Sequence, residues 1–544
     1  MMSSTTPSVP PKDSAESKRG VLLLFAALML SMLLAALSQT VLSTALPTIV
    51  GELDGVDLML WVMTAYILAS TVMMPVYGKV GDLIGRKGLL LMAIGLFMAG
   101  SVVGGLAGDM SWLIVGRVIQ GLGGGGLIIL SQAIIADVVP ARQRGRYMGF
   151  MGGVFAFSSV AGPLLGGWFT EGPGWRWTFW INLPLGALAM LGAIFLLHLP
   201  RGTTTRPRLD YAGMGLLTIA TTCVVLIGSW GGAQYAWSSP TILALIAGAV
   251  VSGALFVMAE RRAVEPVMPL HLFRQRNFNL CTAGGLLIGV AMFGTISYMP
   301  TYLQMATGTS ATNAGLLMVP MMAAMLITSI SVGFLVSRTG RYKWLPMIGT
   351  ALIAAALVLL STMTLDTPLW AICGYIALLG MGLGTSMQLL VLIVQNTFPA
   401  REVGTATASN NYFRQIGASL GAAVVGSLFV SRLGDLLAQR LPGGGAAAGV
   451  EANSLTPELV NNLPASVREA IVLSYNDALA PVFLYIAPLA IVAMVLLSFI
   501  TEKPLATRIE RNIEAECLAE GELTISHDDE DEWPADAQTA GTRR

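Results

Sequence analysis

The sequence is poor in charged residues, histidine and cysteine. Only 11% of its 544 residues are charged, against roughly a quarter in soluble domains, while 54% are hydrophobic. This balance excludes a soluble globular fold. Lys plus Arg and Asp plus Glu both total 31, so the formal net charge is zero. No basic excess is available to attract nucleic acid, and we expect no nucleic-acid partner.

Signatures of enzymes and metalloproteins are also missing. Cys223, Cys281 and Cys373 lie in apolar runs and Cys517 lies in the polar tail, a scatter that rules out a disulfide framework. The three histidines are far apart and no CxxC pair occurs, so no metal site is indicated. The GxGxxG match at 121–126 lies in an apolar helix without a preceding strand. We expect no enzyme activity, no catalytic residues, no metal and no cofactor.

Long apolar runs dominate what is present. A hydrocarbon core of about 30 Å needs roughly 20 apolar residues in a helix, and fourteen runs of that length occur. The predicted spans are 21–46, 57–78, 88–107, 111–136, 147–169, 177–198, 211–230, 240–259, 279–303, 313–336, 344–364, 369–395, 404–430 and 480–500. The sequence therefore predicts an all-α membrane protein with 14 transmembrane helices.

The basic residues are distributed unevenly between the loops. Twenty-five of the 31 Lys and Arg residues fall on the side that carries both termini, and four fall on the other side. The remaining two, Arg117 and Arg414, lie within spans. Because positive charge accumulates in cytoplasmic loops, both termini are predicted to be cytoplasmic.

Short motifs recur in the two halves of the chain. Residues 78–87 (GKVGDLIGRK) match 333–342 (GFLVSRTGRY), and the Pro-Ala-Arg at 140–142 matches that at 399–401. Two matches in the same order predict a duplicated six-helix bundle, an architecture of secondary transporters. The predicted units are an N-terminal segment 1–19, a first bundle 20–200, two inserted helices 201–265, a second bundle 266–501 with an external loop 432–479, and an acidic tail 502–544.

Several segments carry a resemblance to a known family. GKVGDLIGRK at 78–87, RVIQG at 117–121, SSVAGPLLGG at 158–167 and LSQTVLSTALPTI at 37–49 resemble motifs of the major facilitator superfamily, in its 14-helix drug:proton antiporter branch. The resemblance implies a major facilitator fold and proton-driven export by alternating access. The motif glycines and proline that carry it are Gly78, Gly85, Gly121, Gly162, Pro163, Gly166 and Gly167.

The resemblance also implies roles for charged residues. Asp82 and Arg86 would hold the halves together at the cytoplasmic face, and Arg117 would take part in proton coupling. The alternative for Arg117 is a structural hydrogen-bond hub, because a charged arginine within a span needs polar partners.

Small residues in 158–167 allow close helix packing. The resemblance implies that this segment is typical of exporters rather than uptake carriers.

One position departs from the family pattern. Many members have an aspartate where this chain has Ser38, and no acidic residue falls in the middle of a predicted span. Proton coupling would then depend on Asp82, Asp137 or another carboxylate at a span boundary. Arg414 could bind an anionic group of a substrate or pair with such a boundary carboxylate. The missing central carboxylate argues against a simple cation exporter.

Polar and aromatic residues on the expected pore helices are candidates for the substrate cavity. They are Ser38, Gln39, Thr40, Trp61, Tyr66, Gln120, Phe157, Phe293, Tyr298, Tyr302, Gln388, Asn410 and Asn411.

The leading hypothesis is a monomeric exporter of amphipathic drugs and biocides in a prokaryotic plasma membrane, with protons and the lipid bilayer as its other partners. The alternatives are a dedicated exporter of one metabolite or lipid-like compound, and a non-transporting sensor or scaffold. For the acidic tail, the sequence predicts solvated disorder or a regulatory contact.

Overall fold

The computed structural model describes residues 14–197, 209–232, 234–309, 311–441, 460 and 463–506. Within these residues the fold is all-α, as predicted, and no β-strand is present. The N-terminal segment before residue 14, residues 442–459 of the predicted external loop and the acidic tail beyond residue 506 lie outside the described residues.

The prediction of fourteen membrane-spanning helices is confirmed for the described residues. Each is long and apolar enough to cross a bilayer. In chain order they are α1 Leu22–Glu52, α2 Met59–Ile84, α3 Arg86–Gly105, α4 Met110–Val138, α5 Ala141–Glu171, α6 Trp177–Leu196, α7 Tyr211–Trp230, α8 Pro240–Glu260, α9 Arg276–Ala306, α10 Asn313–Thr339, α11 Trp344–Ser361, α12 Leu369–Gln395, α13 Ala400–Arg440 and α14 Ala465–Ser498.

The expected external loop 432–479 is partly wrong. Residues up to Arg440 continue α13, and α14 already begins at Ala465. Leu433 and Leu437 on α13 are buried in the same apolar cluster as Ile471 on α14. A search for apolar runs stops where charged residues enter, whereas an amphipathic helix continues as long as one face packs against a neighbour.

Helix packing confirms the duplication. In the first bundle α1 packs on α5 and α6, while α4 packs on both α2 and α3. In the second bundle α9 packs on α13 and α14, while α12 packs on α10 and α11. When eight is added to each helix number of a packed pair in the first bundle, the result is a packed pair of the second bundle. The inserted α7 and α8 pack on each other, and α7 also lies against α2 and α13.

The two bundles meet through the repeated motifs. A Cβ on Gly78 of α2 would lie 2.8 Å from the carbonyl oxygen of Gly404 on α13, and one on Gly145 of α5 would lie 3.1 Å from that of Gly333 on α10. Only glycine allows backbones to approach so closely. Both contacts lie at the end of the protein that holds the α2–α3, α4–α5, α10–α11 and α12–α13 connections, which we call the basic end.

The chain after α14 crosses the basic end. This strap, residues 501–506, is held by Asn277, which accepts a hydrogen bond from the Thr501 amide (3.0 Å), and by Tyr342, whose hydroxyl accepts one from the Lys503 amide (2.7 Å). It then reaches the first bundle, where the Arg142 amide donates to the Ala506 carbonyl at 3.0 Å. The strap therefore joins the second bundle to the first.

Candidate functional site

The Asp82 carboxylate at the end of α2 caps the start of α13 across the bundle interface. Its oxygens accept hydrogen bonds from the amide of Gly404 (3.1 Å) and from the amide and hydroxyl of Thr405 (2.7 and 2.8 Å). The regular α-helical part of α13 begins at Val403, so Glu402 occupies the usual N-cap position. The Glu402 side chain makes no capping hydrogen bond. A carboxylate from the other bundle thus satisfies amides that a helix start leaves without partners, and its charge faces the positive end of the helix dipole.

Arg86 lies between two carboxylates at the same place. Its guanidinium donates to Asp82 at 2.6 Å and contacts Asp137 at the end of α4. It also donates to the carbonyls of Ala133 (2.9 Å) and Ala400 (3.4 Å), the second of which belongs to the other bundle. Arg86 and Asp82 are both about 95% buried. Asp82, Arg86 and Asp137 therefore form one cluster.

Further hydrogen bonds between the bundles surround this cluster. On one side Arg142 donates to the carbonyls of Ser337 (3.3 Å) and Arg338 (3.0 Å). Nearer the middle of the protein, Asn411 of α13 donates to the side chain of Gln132 on α4 at 2.9 Å. Gln395 of α12 donates to the Gln132 carbonyl at 3.2 Å. The bundles are thus held closed at the basic end.

Arg117 lies in a second polar cluster, inside the first bundle. Its side chain is fully buried and donates to the Val62 carbonyl (3.2 Å), the Ser38 hydroxyl (3.1 Å) and the Gln120 side chain (2.7 Å). The guanidinium also lies 4.2 Å from the centre of the Tyr66 ring. Among the described residues no carboxylate contacts it, and one guanidinium nitrogen is buried without a partner. A buried cation without a counter-ion is costly and marks a functional candidate.

Arg414, the other arginine predicted within a span, lies on α13 of the second bundle. It is partly exposed, and its described hydrogen bond is to the Asn411 side chain at 2.5 Å. Because Asn411 in turn contacts Gln132, Arg414 lies one helical turn farther from the basic end than this contact between the bundles.

The glycines at 162 and 166 join α5 to α1. A Cβ on Gly162 would lie 2.0 Å from the Thr40 hydroxyl, and one on Gly166 would lie 2.1 Å from the Thr44 hydroxyl. Thr40 also donates to the Ser158 carbonyl at 2.8 Å. A Cβ on Gly167 would meet nothing within 4 Å. The packing role predicted for this segment thus falls on two of its three glycines.

Gly85 and Gly121 serve different geometric needs. Gly85 has a φ of +96° at the sharp turn between α2 and α3, a backbone conformation that residues with a Cβ rarely adopt. Its counterpart in the other half, Gly340, has a φ of +72°. A Cβ on Gly121 would lie 2.7 Å from the Tyr66 carbonyl oxygen, so this glycine allows α4 to approach α2.

The candidate cavity residues fall into two groups. Gln39, Thr40, Trp61, Phe293 and Tyr298 are partly exposed, and Phe157 is 57% exposed. Three of the buried ones bond to internal partners, Tyr66 to the Ala35 carbonyl, Tyr302 to Asn476 and Asn410 to Thr282, whereas the Gln388 side-chain oxygen is buried without a hydrogen-bond partner among the described residues. The buried members of the set are Ser38, Tyr66, Gln120, Tyr302, Gln388, Asn410 and Asn411.

Sequence reasoning missed several residues of the bundle interface. Thr405, Gln132 and Gln395 all form hydrogen bonds between the bundles, and Ser337 and Arg142 join them on the α5–α10 side. A usable signal was present, since Gln132 and Gln395 are uncharged polar residues inside predicted spans. Polar side chains in spans usually face other helices rather than lipid.

Comparison with known proteins places the chain in one family. The family model of the Major Facilitator Superfamily matches residues 28–422. An uncharacterised transporter of this type from Mycobacterium tuberculosis is 42% identical over 484 residues, covering 89% of this chain and 70% of that protein. The multidrug transporter protein MdtP of Bacillus subtilis is 36% identical over 435 residues, covering 79% of each chain.

A solved structure has the same fold. The proton:xylose symporter XylE superposes with a TM-score of 0.60 over 90% of this chain and 98% of XylE, at 14% sequence identity. At this identity the similarity concerns the architecture alone.

Proposed function

Because the chain belongs to the Major Facilitator Superfamily and carries fourteen membrane-spanning helices, we propose that it is a proton-coupled exporter of amphipathic small molecules such as drugs and biocides. It works by alternating access in a prokaryotic plasma membrane, with both termini in the cytoplasm and no cofactor. Relatives named as multidrug transporters support the substrate class.

The observation that carries the proposal is the capping of α13 by Asp82. With the basic end facing the cytoplasm, the closed contacts correspond to an outward-facing state. Substrate is released to the outside from this state, and reopening toward the cytoplasm requires the Asp82 contacts with Gly404 and Thr405 to break.

Protonation is a direct way to break these contacts. A neutral carboxylic acid has one fewer acceptor site and no longer attracts Arg86 or the positive end of α13. A helix cap is worth about 0.5–2 kcal/mol, an energy that one proton can change within a transport cycle. Asp137 contacts the same guanidinium, so Arg86 keeps one charged partner when either carboxylate takes a proton.

The test combines growth and transport. A sensitive host that expresses the protein is exposed to a panel of dyes, biocides and antibiotics, with and without a protonophore, and proteoliposomes measure uptake driven by a pH gradient. We expect protection against several unrelated compounds, lost with the protonophore. The double variant Asp82→Asn/Asp137→Asn should lose gradient-driven transport.

Asp109→Asn is the matched control. Asp109 caps α4 at the opposite end by accepting from the Trp112 amide at 2.9 Å, and asparagine caps a helix equally well. Full transport by the double variant would overturn the role of the two carboxylates. Protection against no compound, with counterflow of a single solute, would instead favour the dedicated exporter, and absence of any counterflow would favour the scaffold.

A further inference from the structure

We propose that Arg414 is the binding site for the acidic group of the transported molecule, so that the substrate is an amphipathic organic anion. This inference rests on the proposed function and names the substrate class within it. The guanidinium of Arg414 would hold a carboxylate, sulfonate or phosphate group, while the apolar part of the molecule lies between the bundles.

The first argument is position. Gly404, Ala408 and Asn411 on α13 face the first bundle, where they contact Asp82, Gly78 and Gln132. The Arg414 side chain turns back to Asn411 on this face, one turn beyond the contact between Asn411 and Gln132. It is partly exposed, whereas Asn411 and the segment from 403 to 412 are buried. Arg414 therefore lies just beyond the closed interface, on its side away from the basic end.

The second argument is the missing counter-ion. The described residues form seven ion pairs, and Arg414 takes part in none of them. The nearest carboxylates along its own helix, Glu402 and Asp435, are 12 and 21 residues away, or roughly 18 and 32 Å at the rise of an α-helix. A boundary carboxylate is therefore not its partner within this part of the chain. Unlike the fully buried Arg117, Arg414 is partly exposed, so a solute can supply the anion that the described residues do not.

The third argument is the connection to the interface. The Asn411 side chain accepts from Arg414 at 2.5 Å and donates to Gln132 at 2.9 Å. An anion that draws the guanidinium toward itself removes a hydrogen bond from Asn411. Binding at Arg414 is thus coupled to the contact that holds the middle of the two bundles together.

Binding of three matched probes to the full chain in lipid nanodiscs tests the proposal. The probes are 2-naphthoxyacetate, its amide and 2-(2-naphthoxy)ethylammonium, which share one ring and differ in charge. We expect the acid to bind about 10- to 100-fold more tightly than the amide, as hydrogen bonds to a charged group imply. Arg414→Gln should remove this preference, and Arg414→Lys should retain part of it.

Arg432→Gln is the control on the same helix. Arg432 contacts the exposed Tyr485 at the far end of α13, and its replacement should leave the preference for the acid unchanged. Equal binding of acid and amide by the wild type, no binding of the acid, or an acid preference that survives in Arg414→Gln would each overturn the proposal. Because this assay needs no gradient, acid binding without protonophore-sensitive transport would refute the proposed function and leave the inference intact.

Discussion

Ser337 occupies the position in the second bundle that Asp82 occupies in the first. The Asp82 carboxylate accepts from the Thr405 amide at 2.7 Å, and the Ser337 hydroxyl accepts from the Arg146 amide at 3.2 Å. Both pairs of residues correspond in the repeat, with Asp82 matching Ser337 and Thr405 matching Arg146. The α2–α13 contact is therefore charged, whereas its α10–α5 counterpart is neutral. A proton can weaken the first contact and leaves the second unchanged.

This asymmetry predicts unequal effects of two substitutions. Asp82→Asn should shift the equilibrium toward opening of the basic end by about 2- to 30-fold, because asparagine keeps one acceptor oxygen but loses the second oxygen and the charge that pairs with Arg86. Ser337→Ala should shift it much less. Spin labels at the exposed positions Gln143 and Arg401 report the distance between bundles by pulsed electron resonance. Equal shifts for both variants would contradict the asymmetry.

The glycines of α5 supply a second prediction, with its control in the adjacent residue. Gly166→Ala places a Cβ 2.1 Å from the Thr44 hydroxyl and 2.5 Å from the Val41 carbonyl, so α1 and α5 must separate. We expect a loss of about 1–3 kcal/mol, seen as a lower thermal unfolding midpoint. Gly167→Ala meets nothing within 4 Å and should be neutral or stabilising, because alanine favours helix. Equal midpoints for the two variants would refute the packing role of Gly166.

Arg117 permits a test that separates its two candidate roles. Arg117→Lys retains a charge but cannot reproduce the hydrogen bonds to Val62, Ser38 and Gln120 together, whereas Arg117→Met removes the charge. If Arg117 couples protons, both variants should lose gradient-driven transport. The Arg117→Met variant should have the higher thermal unfolding midpoint of the two. Gradient-driven transport retained by Arg117→Met would show that the arginine is a structural hub.

The hydrogen bonds between Tyr342 and the strap give a further prediction. The Tyr342 hydroxyl donates to the Lys503 carbonyl at 3.0 Å and accepts from its amide at 2.7 Å. Burial raises the pKa of Tyr342, so the hydroxyl keeps the proton that it donates. Tyr342→Phe should release residues 501–506 at a cost of about 1–3 kcal/mol, measured as faster amide hydrogen exchange in that segment.

Tyr485→Phe is the control for this measurement, because Tyr485 is 54% exposed and contacts only the Arg432 side chain by hydrogen bond within the described residues. Unchanged exchange of the 501–506 segment in Tyr342→Phe would show that the other contacts hold the strap alone.

Much of the architecture followed from local rules. Fourteen spans are predictable because a bilayer demands about 20 apolar residues per helix, and the duplication is predictable because motifs recur in order. The extent of α13 and α14 was not predictable from hydropathy, because the pairing of Leu433 and Leu437 with Ile471 is a tertiary contact between amphipathic segments. The joint role of Asp82 and Arg86 at this end was implied by the resemblance of residues 78–87 to a family motif.

The sequence by itself determined that this is a helical membrane protein with a basic side and with two arginines inside its spans. Only the tertiary structure decided what those charges do. It brings Asp82 to the start of α13, more than 300 residues away in the chain, and it leaves Arg414 beside Asn411 without a carboxylate within the described residues. The reason is that hydropathy depends on each residue alone, whereas the partner of a buried charge depends on how helices from two bundles pack.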